Sequence, residues 1–99
     1  MAEINPRNSV NWLVNEGVNQ GYWTRDGNGN SDVQRFINFE GDTLQVHYVG
    51  NNRVYVERYK ASDLHFYHGV ISEDGRTIQG KYLSAQFRGE LLWSAKINR

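Results

Sequence analysis

Gly69-Val70-Ile71-Ser72-Glu73-Asp74-Gly75-Arg76-Thr77-Ile78-Gln79-Gly80 reads as a β-hairpin. Two short alternating runs flank Asp74-Gly75, and that pair, its glycine above all, tolerates the positive φ that a tight turn needs. The segments on either side repeat the pattern. Residues 33–40 alternate Val33, Arg35, Ile37 and Phe39 against Gln34, Phe36, Asn38 and Glu40, then turn at Glu40-Gly41-Asp42. Residues 43–49 set Leu44, Val46 and Tyr48 on one face, and 53–60 set Val54 and Val56 opposite Arg53, Tyr55, Glu57 and Tyr59. Residues 64–71 group Leu64, Phe66, His68 and Val70 inward and leave His65 and Tyr67 outward, while 77–83 bring Ile78 and Tyr82 inward around Gly80. The last run, 89–97, alternates Leu91, Trp93, Ala95 and Ile97 with Glu90, Leu92, Ser94 and Lys96. A first run at 20–25 contains Tyr22 and Trp23.

Period-two alternation over these runs predicts about seven strands joined by short turns. No connection is long enough to make any pair parallel. Consecutive antiparallel strands with one apolar face close or stack, because an open sheet leaves exposed edges and an uncovered core. The expected fold is therefore all-β, a single antiparallel meander barrel of seven to eight strands over residues 20–97. Ahead of it, residues 1–8 with Pro6 are expected to form a flexible arm. Residues 9–16 are expected to form one short helix: Asn8 or Ser9 suits a cap, Val10, Leu13 and Val14 follow helical spacing, and Gly17 supplies the stop.

Ninety-nine residues make one domain. Eleven basic residues balance eleven acidic ones, so no overall field draws phosphate backbones or anionic lipid, and nucleic acid is disfavoured as a general partner. No cysteine is present, so neither disulfides nor thiol chemistry contribute, which suits a reducing cytosol. No apolar run approaches the ~20 residues of a helical membrane span, and the first residues lack the pattern of an export signal. A cytoplasmic protein with no membrane contact is expected. Thirteen aromatic residues, ten glycines and a single proline suit a sheet protein with frequent tight turns.

Gly21-Tyr22-Trp23 at the first strand, the Gly69…Asp74-Gly75…Ile78-Gln79-Gly80 hairpin and Trp93 in the closing strand resemble the calycin barrels, the lipocalin and avidin relatives. The resemblance spans about residues 17–97. It implies a small barrel whose early Gly-x-Trp pins one closed end behind a short helical lead-in. The chain departs from lipocalins in its short length and in lacking the family's disulfide and C-terminal helix.

Catalytic and metal chemistry find little footing. Asp26, Asn28, Asn30 and Asp32 alternate like a calcium loop, but its sixth position is Ser31 and its twelfth Ile37, where that loop needs glycine and a bidentate glutamate. His65 and His68 are three apart on one strand and point to opposite faces, so the spacing does not make a shared metal site. No serine sits in a nucleophile turn, and Glu73, Asp74, Glu40 and Asp42 lie in turns that offer little desolvation. No cofactor or metal is expected.

The function expected is a non-catalytic binding module, with two places to bind, and an enzyme stands a distant third. A small ligand in or at the mouth of the barrel would use Trp23, Arg35, Tyr48, Arg58, Tyr82 and Trp93; Phe39 and Phe66 also fall in the inward phase. The two arginines draw attention, since a buried guanidinium costs several kcal/mol unless it is paired. A bore of about eight strands either just holds a small ligand or is filled by its own side chains. Alternatively, a protein or a sugar would stack on an exposed face bearing His47, Arg53, Tyr55, Tyr59, His65 and Tyr67, a composition that also serves ordinary cross-strand pairing. Phe36 and Leu92 each fall opposite their strand's other large apolar residues, so a contact through them, in a homodimer or a larger assembly, is expected.

Overall fold

The structure is a computed structural model and describes residues 9, 11–17, 19–27, 32–60, 63–83 and 90–98. Eight strands, β1 (Asn11–Glu16), β2 (Asn19–Arg25), β3 (Val33–Asn38), β4 (Thr43–Val49), β5 (Arg53–Lys60), β6 (Asp63–Ile71), β7 (Thr77–Leu83) and β8 (Leu91–Asn98), follow one another around a closed barrel. Every neighbouring pair is antiparallel, and β1 pairs with β8 to close the ring. The all-β meander barrel expected from the alternation is therefore present. The arm at 1–8 lies outside the described residues.

The expected helix at 9–16 is a strand over residues 11–16. Its buried residues are Trp12 and Val14, two apart as on one face of a strand, with Leu13 between them only half-buried, and Val10 lies outside the described residues. Tertiary pairing decides this segment. Trp12 faces Trp23 on β2 and Ile97 on β8, so β1 satisfies two backbone edges that a helix would leave bare.

Inside, the alternation holds on β4 and β5, where Leu44, Val46, Tyr48, Val54, Val56 and Arg58 are buried. On β3 and β6 the phase is the reverse of the expectation. Gln34, Phe36 and Asn38 are buried on β3, and Val33, Arg35, Ile37 and Phe39 are exposed. On β6 Tyr67 and Gly69 face inward, while Leu64, Phe66, His68 and Val70 are exposed. Both faces of these two strands carry large apolar groups, so alternation alone does not mark the core side.

Packing under Trp93 supplies the reason on β6. Gly69 pairs with Gly80, and Gly80 pairs with Trp93 on the far side. A Cβ on Gly80 would lie 1.8 Å from the His68 carbonyl oxygen, and one on Gly69 would lie 3.0 Å from Trp93 Cζ2. The two glycines thus leave a trough that the Trp93 ring fills, and its indole Nε1 donates to the His68 carbonyl at 3.0 Å. The hairpin beyond turns as expected. Gly75 has φ +73°, Ser72 Oγ donates to Asp74 Oδ1 at 2.6 Å, and the Arg76 amide donates to the same oxygen at 3.1 Å.

Candidate functional site

The bore is filled by a continuous run of rings. Phe36 packs on Trp12 at 4.6 Å between centroids, Trp12 on Trp23 at 6.2 Å, and Trp23 on Trp93 at 5.6 Å. Tyr67 meets both Trp23 and Trp93 edge-on at 5.3 Å, and Tyr82 stacks on Tyr67 at 5.0 Å. His65 stacks on Tyr82 at 6.4 Å, so the run reaches the barrel mouth formed by the end of β5 and the start of β6.

A charged cluster sits at that mouth. Arg58 is buried near the end of β5, opposite Leu44 at the start of β4 and His65 on β6. Its Nη2 is 3.0 Å from Asp42 Oδ2 and 3.5 Å from Glu40 Oε2, its Nη1 is 3.3 Å from Glu16 Oε2, and the same nitrogen donates to Tyr67 Oη at 3.3 Å. The Tyr67 hydroxyl in turn donates to Glu16. One guanidinium therefore meets three carboxylates, with only Glu40 substantially exposed. Asn38 aims Asp42: its Oδ1 accepts from the Glu40 and Asp42 amides at 3.0 and 2.8 Å, and its Nδ2 donates to Asp42 Oδ2 at 3.3 Å.

These contacts set the ionisation of the cluster. Burial opposes the charge on Arg58, but the Tyr67 hydrogen bond, followed by Asp42 and Glu16, reverses that and raises its pKa, so it stays charged. Burial first, then the negative charge of Glu16, pushes the Tyr67 phenol well above its ordinary value. The same two causes raise Tyr82. Chemically, the cluster pins β1, the turn before β4, β5 and β6 to one another across the end of the barrel.

Of the residues expected to line a pocket, Trp23 and Trp93 stack on one another, Tyr67 carries the run on to Tyr82, and Arg58 bonds to Tyr67. Tyr48 lies in the other half of the barrel, with its hydroxyl donating to Gln34 Oε1 at 3.2 Å. Arg35 is a correction: it stands on the outer surface, 3.1 Å from Asp26, because β3 takes the opposite phase. Phe39, also expected inside, is exposed at the turn after β3, with its ring against Gly21 where a Cβ would fall 2.1 Å from Cδ1. Phe66 is exposed as well.

The outward set divides in the same way. His47, Arg53, Tyr55 and Tyr59 lie on the outer wall of β4 and β5, with His47 Nε2 2.8 Å from Glu57 and the Tyr59 hydroxyl donating to Glu57 at 3.1 Å. Tyr67 is 1 % exposed and His65 is half-buried, both in the inward phase, so neither belongs to that surface. Phe36 is fully buried against Trp12 and is no interface residue, whereas Leu92 is 72 % exposed.

Glu16 and Asn38 are the members of the mouth that the sequence did not disclose. Glu16 lies 42 positions from Arg58 in the chain, and reading residues 9–16 as helix hid its inward turn at the end of β1.

Around the outside of β5 to β8 an apolar wall runs through paired residues. Tyr59 faces Leu64, Phe66 faces Leu83, and Leu92 faces Lys81. All but Lys81 are large apolar groups with a third or more of their surface in solvent. Among the described residues no group of three or more His, Asp or Glu side chains is placed to hold a metal ion. Among the described residues no helix is long and apolar enough to cross a membrane. Compared with known protein families, characterised proteins and solved structures, the chain shows no match.

Proposed function

We propose that this protein is a non-catalytic binding module of the calycin-like kind that engages a protein partner through the outer wall of β5 to β8. The observation that carries this reading is the contiguity of Tyr59, Leu64, Phe66, Leu83 and Leu92 on the outside of a barrel whose inside already holds its own rings. Contiguous exposed apolar patches larger than a few hundred Å² mark interaction sites, and the largest patch on a folded domain is often functional. Closure of the barrel leaves no strand edge for a peptide to pair with, so contact through side chains on the wall is the mode the fold offers. Position-specific photo-cross-linking in the cells that make the protein tests it. A benzophenone side chain at Phe66 or Leu83 is expected to cross-link to protein, a second copy included, and one at Thr24 on β2, across the barrel, is not. Equal capture from both walls, or none from β6 and β7, overturns the reading.

A small ligand at the mouth is the second reading, and what favours it is the half-exposed pair of Tyr82 and His65 rings above the Arg58 cluster. A compound that raises the melting temperature of the wild type but not of Tyr82→Ala supports it.

A further inference from the structure

We infer that the turn at 39–42 is a gate in the side of the barrel: the ring of Phe39 swings off Gly21 to open a gap between β2 and β3 at the mouth, and Arg58, bonded to both Glu16 and Asp42, is the latch. The gate stands whether or not the outer wall meets a partner. The ring of strands is complete, but its ladder is uneven. Among the described residues β2 and β3 share three paired positions, Trp23 with Asn38, Thr24 with Ile37 and Arg25 with Phe36, whereas every other pair of neighbours shares five or more. β2 begins earlier, at Asn19, and its residues 19–22 pair with β1 through Glu16, Asn15, Val14 and Leu13. On their other side β3 has already ended at Asn38, and the chain turns back through 39–42.

A side chain closes what the ladder leaves open. Gly21 lies in the inward phase of β2, two residues before the buried Trp23 and opposite the buried Val14. Phe39 Cδ1 lies 2.1 Å from where a Cβ on Gly21 would fall, so the ring reaches from the turn across to β2 and takes the place of a side chain there. Yet 61 % of Phe39 is exposed. A ring so open to water gives up little apolar burial when it rotates away, and exposed side chains change rotamer readily. Behind it Trp23 stacks on Trp93, so moving the ring gives a small molecule a way from the mouth to that stack.

The turn is tied within itself and moves as a unit. Asn38 Oδ1 accepts from the Glu40 and Asp42 amides, the Gly41 amide donates to the Asn38 carbonyl at 3.0 Å, and Gly41 has φ +86°. Parted at the gap, the barrel is one sheet from β3 to β8 and on through β1 to β2, with the turn near one margin and the end of β1 near the other. Arg58, on β5 between them, reaches both. Its Nη2 is 3.0 Å from Asp42 Oδ2 on the turn, and its Nη1 is 3.3 Å from Glu16 Oε2 on β1, where the Tyr67 hydroxyl also donates. One buried guanidinium therefore holds the two margins together across the bore.

Fluorine NMR of the purified full chain carrying 4-fluorophenylalanine at position 39 alone, together with acrylamide quenching of tryptophan emission, is the test. Relaxation dispersion is expected to show a second state of that ring, exchanging in microseconds to milliseconds and populated at about 0.1–10 %. Glu16→Gln keeps the shape of the side chain but removes the charge that Arg58 holds across the gap, and is expected to raise that population about tenfold. Asp42→Asn cuts the latch from the turn's side and is expected to act alike, while Asp26→Asn, at the exposed pair with Arg35, leaves the population unchanged. Phe39→Ala is expected to raise the quenching constant, and Phe66→Ala, whose ring stands on the outer wall, to leave it at the wild-type value. A single fluorine state without exchange overturns the gate, because Phe39 is then a fixed plug. A second state that neither Glu16→Gln nor Asp42→Asn populates further overturns the latch and the inference with it. Equal quenching in Phe39→Ala and Phe66→Ala shows that no gap lies beneath the ring, and overturns it too.

Discussion

Replacing Arg58 by methionine removes the guanidinium but leaves Glu16 and Asp42 mostly buried, side by side, with no cation between them. Breaking a buried pair from one side strands the other charge, so Arg58→Met is expected to destabilise the barrel by about 3–5 kcal/mol in urea denaturation. Arg35→Met, at an exposed pair with Asp26, is expected to cost ~0–1 kcal/mol. Tyr67 adds a pH dependence. Its folded-state pKa is raised, first by burial and then by Glu16, above the ordinary phenol value of about 10. Below that value both states keep the proton and the contribution is complete. Above it the unfolded chain releases the proton while the folded chain holds it, so stability falls as pH rises towards the folded-state value. Urea midpoints measured from pH 9 to 12 should therefore decline for the wild type and decline less steeply for Tyr67→Phe.

At the scale of elements, β6 and β7 are held at close approach by Gly69 and Gly80 beneath the Trp93 ring. Gly80→Ala puts a methyl group into the His68 carbonyl, and backbone on both sides of that contact has nowhere to go. A loss of about 2–4 kcal/mol is expected for it, read from the urea midpoint. Gly50→Ala is the matched control: its Cβ meets nothing within 4 Å, and its cost should stay within ~0.5 kcal/mol. Trp93→Ala, which empties the trough, should cost about 3–5 kcal/mol. The hairpin was legible from Asp74-Gly75 because turn chemistry is local. β1 was not, since Val10, Leu13 and Val14 fit helical spacing as readily as Trp12 and Val14 fit alternation. Only the two edges waiting on β2 and β8 choose between them.

For the whole molecule, the reversal of phase on β3 and β6 makes a sharp contrast. Phe36→Ala is expected to cost about 3–5 kcal/mol because the ring is fully buried on Trp12, and Phe66→Ala less than ~1 kcal/mol because its ring stands on the outer wall. Thermal unfolding of the two variants, checked against wild type, separates them. Seven strand positions, their antiparallel order, the turns between them and the inward face of β4, β5, β7 and β8 were determined by the sequence alone. Period two, glycine and asparagine at the turns and short connections are all properties of a few neighbouring residues. The tertiary structure alone decided which face of β3 and β6 is inside, that residues 11–16 close the ring, and that Glu16, Asp42, Arg58 and Tyr67 meet at one mouth. The bore is packed by rings that interlock around two facing glycines, with the aliphatic side chains of β4 and β5 beside them. Where both faces of a strand are apolar, that fit, and the register closing the barrel, select the buried one.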